Sequence, residues 1–253
     1  MKYIKWFCFA FLINQINAQG PPITADKPIM LGGNSITIKT LSEIRTTEKG
    51  TTIYTPVIGH YLPTANSLLA VHIPVISYNL RNDKGFDLAD IQLLGKYQFY
   101  RKDATGRTHR LVAKTIQTLP TGAPLDIIQL STGAYQSYTG LVSGLETLKY
   151  GISSEVGYNW SPNANLDELR IKQGFGLPLL KPQYPNKQIN LYFEYASNWL
   201  VERGWYQLLY AQGIQYARKN ITFDLAIQFP LINKFPENRK LKQSVFLGTR
   251  YTF

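Results

Sequence analysis

Apolar residues in this chain recur at every second position rather than in helical groups. From Ile221 to Leu231, Ile221, Phe223, Leu225, Ile227, Phe229 and Leu231 share one face, and Thr222, Asp224, Ala226, Gln228 and Pro230 share the other. Period two is the signature of a strand with one face in an apolar medium. Ile189–Val201 repeats it, with Ile189, Leu191, Phe193, Tyr195 and Trp199 opposite Asn190, Glu194 and Asn198. Leu169–Leu179, Ile152–Trp160 and Gln243–Phe253 alternate in the same way. Weaker alternation predicts strands over Ser35–Thr47, Thr51–Leu62, Ser67–Tyr78, Asp90–Arg101, Arg107–Leu119, Ser137–Leu145 and Tyr206–Ala217. The total is about twelve, at roughly 20 residues per strand and connection. Gly140, Gly144 and Thr147-Leu148-Lys149 also allow a bent strand around Tyr135–Tyr150, so ten strands is the alternative.

A soluble sandwich alternates too. Three features favour a transmembrane antiparallel β-barrel. The apolar face runs for five or six successive positions, about the length a tilted strand needs in hydrocarbon. The opposite face carries charges and glycines, which suits a wet lumen. The aromatic residues fall in two bands: Tyr158, Trp160, Trp199, Trp205 and Tyr206 near the outer end, and Tyr97, Phe99, Tyr216, Tyr251 and Phe253 near the periplasmic end. Amphipathic rings collect at membrane interfaces in this way. By the same parity Asn82–Leu88, Pro120–Gly133 and Asn233–Lys242 are outer loops, and Lys219-Asn220 is a tight periplasmic turn.

The amino terminus changes the picture of where the chain works. Lys2 and Lys5 precede a short apolar run, Trp6–Ile13, and a small residue, Ala18. That is the layout of a secretory signal, with cleavage expected after Ala18. The expected organisation is a signal over 1–18, a periplasmic lead-in over 19–34, and a barrel over 35–253. Cys8, the sole cysteine, would leave with the signal, so no disulfide framework is expected. Losing Lys2 and Lys5 would take the formal charge from +11 to +9. A basic chain can meet nucleic acid, an anionic surface or anionic solutes. Without a Lys/Arg block or a nucleic-acid motif, nucleic acid is excluded.

Candidate chemistry is sparse. Lipid-hydrolysing barrels set a His and a Ser two apart on the lipid side, but His60, His72 and His109 are followed at that spacing by Leu62, Pro74 and Leu111. No zinc spacing, phosphate loop or calcium loop occurs. No catalytic residue, metal or cofactor is expected. The inward face is expected to carry Lys39, Glu43, Lys96, Arg110, Lys114, Glu155, Arg170, Lys172, Glu194, Asp224 and Arg250. These charges either brace the barrel as ion pairs, with Glu155 facing Arg170 or Lys172, or line a basic solute path. The Pro120–Gly133 connection, with Ile127-Ile128 at its centre, could be a plug, a lid or a plain loop.

One stretch resembles a known family. Leu93-Leu94-Gly95-Lys96-Tyr97-Gln98-Phe99, followed by a strand closing Leu119-Pro120-Thr121-Gly122, is similar to the phenol meta-pathway outer-membrane barrel family, with its G-K-Y-x-F and P-T-G strand ends in that order. Val156-Gly157-Tyr158-Asn159-Trp160 looks like a later strand of that family. The resemblance implies a barrel of about twelve strands that transports aromatic or other hydrophobic compounds. The terminal Phe253 is similar to the signal read by the barrel-assembly machinery. The expectation is therefore an outer-membrane channel of a Gram-negative bacterium for small hydrophobic, aromatic or anionic solutes. A closed structural or surface-interaction barrel is the alternative, and a lipid-modifying enzyme the third. The oligomeric state is left open.

Overall fold

A strand that is apolar on one face and polar on the other is stable in a membrane only if no backbone edge is left open. The computed structural model solves this by closing the sheet on itself. It describes residues 22–28, 30, 33–80, 83–122, 131–162, 166–180, 187–236 and 240–253. The expected signal over 1–18 lies outside these residues.

Thirteen strands follow in order: β1 (Ser35–Thr47), β2 (Gly50–Thr64), β3 (Ser67–Leu80), β4 (Asp83–Leu88), β5 (Gln92–Ala104), β6 (Arg107–Thr118), β7 (Gln136–Thr147), β8 (Gly151–Trp160), β9 (Glu168–Pro178), β10 (Lys187–Leu200), β11 (Trp205–Arg218), β12 (Ile221–Asn233) and β13 (Leu241–Thr252). All neighbours are antiparallel, and β13 pairs with β1 through Ile38↔Tyr251, Lys39↔Arg250 and Ile44↔Val245. The β2–β3 pairing completes the circle.

β4 and β5 share one place in the wall. β3 pairs with β4 over Val75–Leu80 and with β5 over Ser67–His72, and the chain steps between them at 89–91. The barrel is thus twelve-stranded. β4 corrects the expectation of an outer loop over Asn82–Leu88. Its polar sequence shows little alternation, and its ladder comes from the neighbouring half of β3. The ambiguous Tyr135–Tyr150 stretch is one regular strand, β7, followed by a turn in which the Thr147 hydroxyl donates to the Tyr150 carbonyl at 2.8 Å.

Alternation sorts side chains by face with few exceptions. In β8, Gly151, Ser153, Glu155, Gly157 and Asn159 are buried, while Ile152, Ser154, Val156, Tyr158 and Trp160 are exposed. Exposed apolar side chains cover the outside of every long strand but β6, which is the reverse of a water-soluble protein and the pattern of a barrel wall in lipid. Tyr158 and Trp199 both pair with Leu169, and Trp199 pairs with Tyr206, so these rings lie in one row across β8–β11. Trp205 does not join them. Consecutive strand residues point to opposite faces, and with Tyr206 outside, Trp205 turns in to pack on Leu166, Leu200 and Phe235. Among the described residues no helix is long and apolar enough to cross a membrane.

Candidate functional site

The inside of the barrel has two unlike walls. The inward positions of β2 and β3 are largely apolar, with Ile58, Leu62, Leu68 and Ala70 buried there, and Leu94, Val112 and Val142 continue this surface on β5, β6 and β7. His60 and His72 interrupt it, with ring centroids 6.4 Å apart. From β6 to β10 the inward positions instead carry Lys114, Glu146, Glu155, Glu168, Arg170, Lys172 and Glu194.

The segment formed by residues 22–28 and 30 lies between these walls, inside the barrel. This corrects the expected periplasmic lead-in. The physical reason is that its charged side chains and three successive N–H groups find partners in the lumen. Glu194 accepts the backbone N–H groups of Ile23, Thr24 and Ala25 at 2.7, 2.6 and 2.7 Å, and the Thr24 hydroxyl as well. Successive N–H groups turned to one anion form a small nest. Lys172 Nζ donates to the Thr24 carbonyl at 3.2 Å. Asp26 sits between Lys96 and Lys114, the latter at 2.8 Å, and Lys27 pairs with Glu146. Lys114 also reaches Glu155 at 2.8 Å, and Tyr138 donates to Glu155 at 2.6 Å.

Apolar residues of the segment divide between two clusters. Ile23 packs with Leu41, Tyr192, Ala226 and Phe246. Met30 packs with Leu62, Leu68, Ala70, Leu94, Val112 and Val142, a collar on the apolar wall. The wall gives way where the segment passes. A Cβ on Gly144 would lie 2.6 Å from Pro28 Cδ and Cγ, and one on Gly213 2.5 Å from Ile23 Cδ1. Among its described residues the segment makes no strand pairing. A cavity of about 10 Å³, lined by Pro22, Glu146, Ser153, Gly174 and Tyr192 among others, lies where the segment meets the wall, room for about one water.

The eleven charged residues singled out from the sequence occupy inward positions and divide into two groups. Lys96, Lys114, Glu155, Lys172 and Glu194 hold the segment or its holders. Arg170 pairs with Glu168 at 2.7 Å and lies over the Tyr138 ring. Glu43 accepts from Ser244 at 2.7 Å and from Arg45 at 2.8 Å. Asp224 accepts from Gln215 at 2.7 Å, and Arg110 donates to Thr108 at 3.2 Å. Lys39 and Arg250 are register partners with no carboxylate in ion-pair range among the described residues. The expected pairing of Glu155 with Arg170 or Lys172 is replaced. Glu155 and Lys172 are register partners, yet Glu155 bonds across Gly140 to Lys114, and Lys172 turns to the segment.

Two features escaped the sequence scan. His109 Nε2 lies 3.3 Å from Ser143 Oγ on the lipid-facing side, with Tyr100 edge-on to the ring at 5.5 Å. A search for Ser two residues after His could not find it, because the pair joins β6 to β7. Among the described residues no carboxylate orients the ring, so the third member of a nucleophilic triad is missing. Asp90, buried at the β4–β5 step, accepts the N–H groups of Gly122, Thr132 and Gly133 at 3.0, 2.8 and 3.1 Å. It ties both ends of the Pro120–Gly133 connection to the rim. The central part of that connection, 123–130, lies outside the described residues, so its expected role as plug, lid or loop is not addressed.

The fold is that of a closed, porin-like β-barrel. Residue by residue it is similar to the COG4313 outer membrane channel from Pseudomonas putida F1, with a TM-score of 0.64, 10% identity, and 90% of this chain and 98% of that chain covered. It is also similar to the KdgM porin in complex with disordered oligogalacturonate, at 0.56 and 9%, covering 86% and 99%. LpxR from Salmonella typhimurium matches at 0.52 and 10%, covering 87% and 100%. At such identities the likeness is one of fold. No family model and no curated protein sequence matches the chain.

Proposed function

We propose that this protein is an outer-membrane channel for small solutes whose resting lumen is filled by its own segment 22–30. One observation carries the reading: the segment is held by side chains, ion pairs and N–H donors, without a strand ladder. It can therefore leave while every backbone bond of the wall stays in place. A structural brace would more economically pair as a strand or be replaced by wall side chains. The charged wall supports passage of polar or anionic solutes, and two of the similar structures are described as a channel and a porin. The likeness of Leu93–Gly122 to the phenol meta-pathway family supports a hydrophobic solute. Assembly by the barrel-assembly machinery through Phe253, and a location in Gram-negative outer membranes, belong to the same proposal. No chemical step is assigned.

The test is planar-bilayer conductance of the full chain and of a chain lacking 22–30. The full chain should be closed with rare openings, and the deletion should conduct steadily. A filled lumen equally suits a closed structural barrel. A folded deletion variant that stays sealed would establish that second reading.

A further inference from the structure

We propose that the Lys96–Lys114 pair and the apolar collar beside it form a binding site for small carboxylates with an aliphatic body, and that Asp26 and Met30 are its internal occupants. This rests on the reading of segment 22–30 as a displaceable filling. Lys96 and Lys114 are register partners on β5 and β6, and one carboxylate, that of Asp26, sits between both ammonium groups. The collar is built on the same strands. β5 and β6 are antiparallel, so Leu94, two before Lys96, and Val112, two before Lys114, face inward on opposite sides of the lysine pair, each about 7 Å along the strand from its lysine. Leu62, Leu68, Ala70 and Val142 complete the collar around the Met30 side chain.

The two halves need an occupant with two halves. A water-filled pore gains nothing from a cluster of Leu and Val, because exposed apolar surface costs about 25 cal/mol per Å². A purely apolar ligand would leave Lys114 with Glu155 alone and Lys96 without the carboxylate it holds. A short alkyl carboxylate satisfies both, since its charge replaces Asp26 and its chain replaces Met30. The side chains clustered with Met30 are aliphatic, with the His60 and His72 rings beside Ala70 on the same wall, and this aliphatic surface favours an alkyl chain over a sugar acid.

Competition between segment and ligand gives the test. Hexanoate, acetate and hexanol are titrated by calorimetry into the full chain in detergent, into Asp26→Asn and into Met30→Ala. Barrel folding of each is checked by heat-modifiable gel migration. Hexanoate should bind at least tenfold tighter than acetate or hexanol. Asp26→Asn should tighten both carboxylates, by up to about a hundredfold, and Met30→Ala should tighten hexanoate more than acetate. Lys96→Gln with Lys114→Gln should remove carboxylate binding, and Lys96→Arg with Lys114→Arg should restore part of it. Hexanoate binding no tighter than acetate, or equal responses of the two to Met30→Ala, would overturn the site. Conductance distinguishes the two readings. If Asp26→Asn opens the pore but hexanoate fails to bind, the channel stands and the site falls. If hexanoate binds as expected and no variant conducts, the site stands and the channel reading falls.

Discussion

The two walls of the lumen are both buried, yet they hold the same segment by different physics. On the β5–β10 side the contacts are ion pairs and hydrogen bonds, each with a named partner: Asp26 with Lys96 and Lys114, Lys27 with Glu146, and Glu194 with three backbone N–H groups. On the β2–β3 side, continued by Leu94, Val112 and Val142, the contact is a collar around Met30 that any apolar group of similar volume would satisfy. Charged contacts set position, because a misplaced buried ion loses its partner and keeps its desolvation cost. Apolar contacts supply free energy with little directional demand. The difference suggests a filling that is located by one wall and retained by both.

The largest test of that contrast is Asp26→Asn. It leaves two lysines facing a neutral amide, and removing one member of a buried charged set costs about 3 kcal/mol or more. That corresponds to on the order of a hundredfold in the ratio of filled to open lumen. Single-channel open probability should rise accordingly, and raising salt from 0.1 to 1 M should narrow the gap to the unmodified chain, since screening weakens the pairs that remain. An open probability unchanged by Asp26→Asn would mean the charged wall does not hold the segment.

Met30→Ala probes the opposite wall. Truncating a buried Met costs about 2 kcal/mol at the low end of the range for core cavities, because a free segment can settle into the space. Open probability should rise about thirtyfold. Unlike the previous case, the effect should be the same at low and high salt. A salt-dependent response would mean Met30 acts through the position of Asp26, and the separation between the walls would collapse.

Legibility from the sequence followed the same divide. β10 and β12 were plain, since Phe193, Tyr195, Phe223 and Ile227 alternate with Glu194, Asp224 and Gln228 without interruption. The charged inner wall followed from that parity. The apolar wall did not, because in β3 residues Leu68, Leu69, Ala70 and Val71 make both faces apolar and period two disappears. Trp205 was misplaced for want of strict parity beside a turn. The segment was the deepest miss: Pro22-Ile23-Thr24-Ala25-Asp26-Lys27-Pro28 has no periodicity, and its partners lie up to 171 positions away. No local rule reads a contact of that kind. A faint signal did exist in Gly144 and Gly213, small residues on inward positions where the segment now passes.

A smaller effect is expected of Glu194→Gln. The amide keeps an oxygen for one or two of the three N–H groups but loses the charge that roughly doubles each bond. The cost should be about 1.5 kcal/mol, near tenfold in open probability. Hydrogen exchange at Ile23, Thr24 and Ala25 should accelerate by the same factor while exchange in β10 stays slow. Equal acceleration in β10 would show that Glu194 supports the wall itself.

Gly144→Ala should have the smallest effect and asks whether the segment or the wall gives way. The new Cβ would stand 2.6 Å from two Pro28 atoms, too close for either group to stay. Overpacking in a rigid core costs about 1–3 kcal/mol. Here the obstructed partner belongs to an element without a ladder, so it can shift by a few tenths of an ångström, and about 1 kcal/mol or less is expected. Open probability should rise only severalfold, with barrel thermal stability unchanged. Gly95→Ala is the control, because its Cβ would meet only Thr115 Cγ2, at 3.4 Å. If Gly144→Ala lowered the unfolding temperature while leaving conductance as it was, Pro28 would be part of the wall's own packing. The segment would then have to be counted as structure on the charged side as well as on the apolar one.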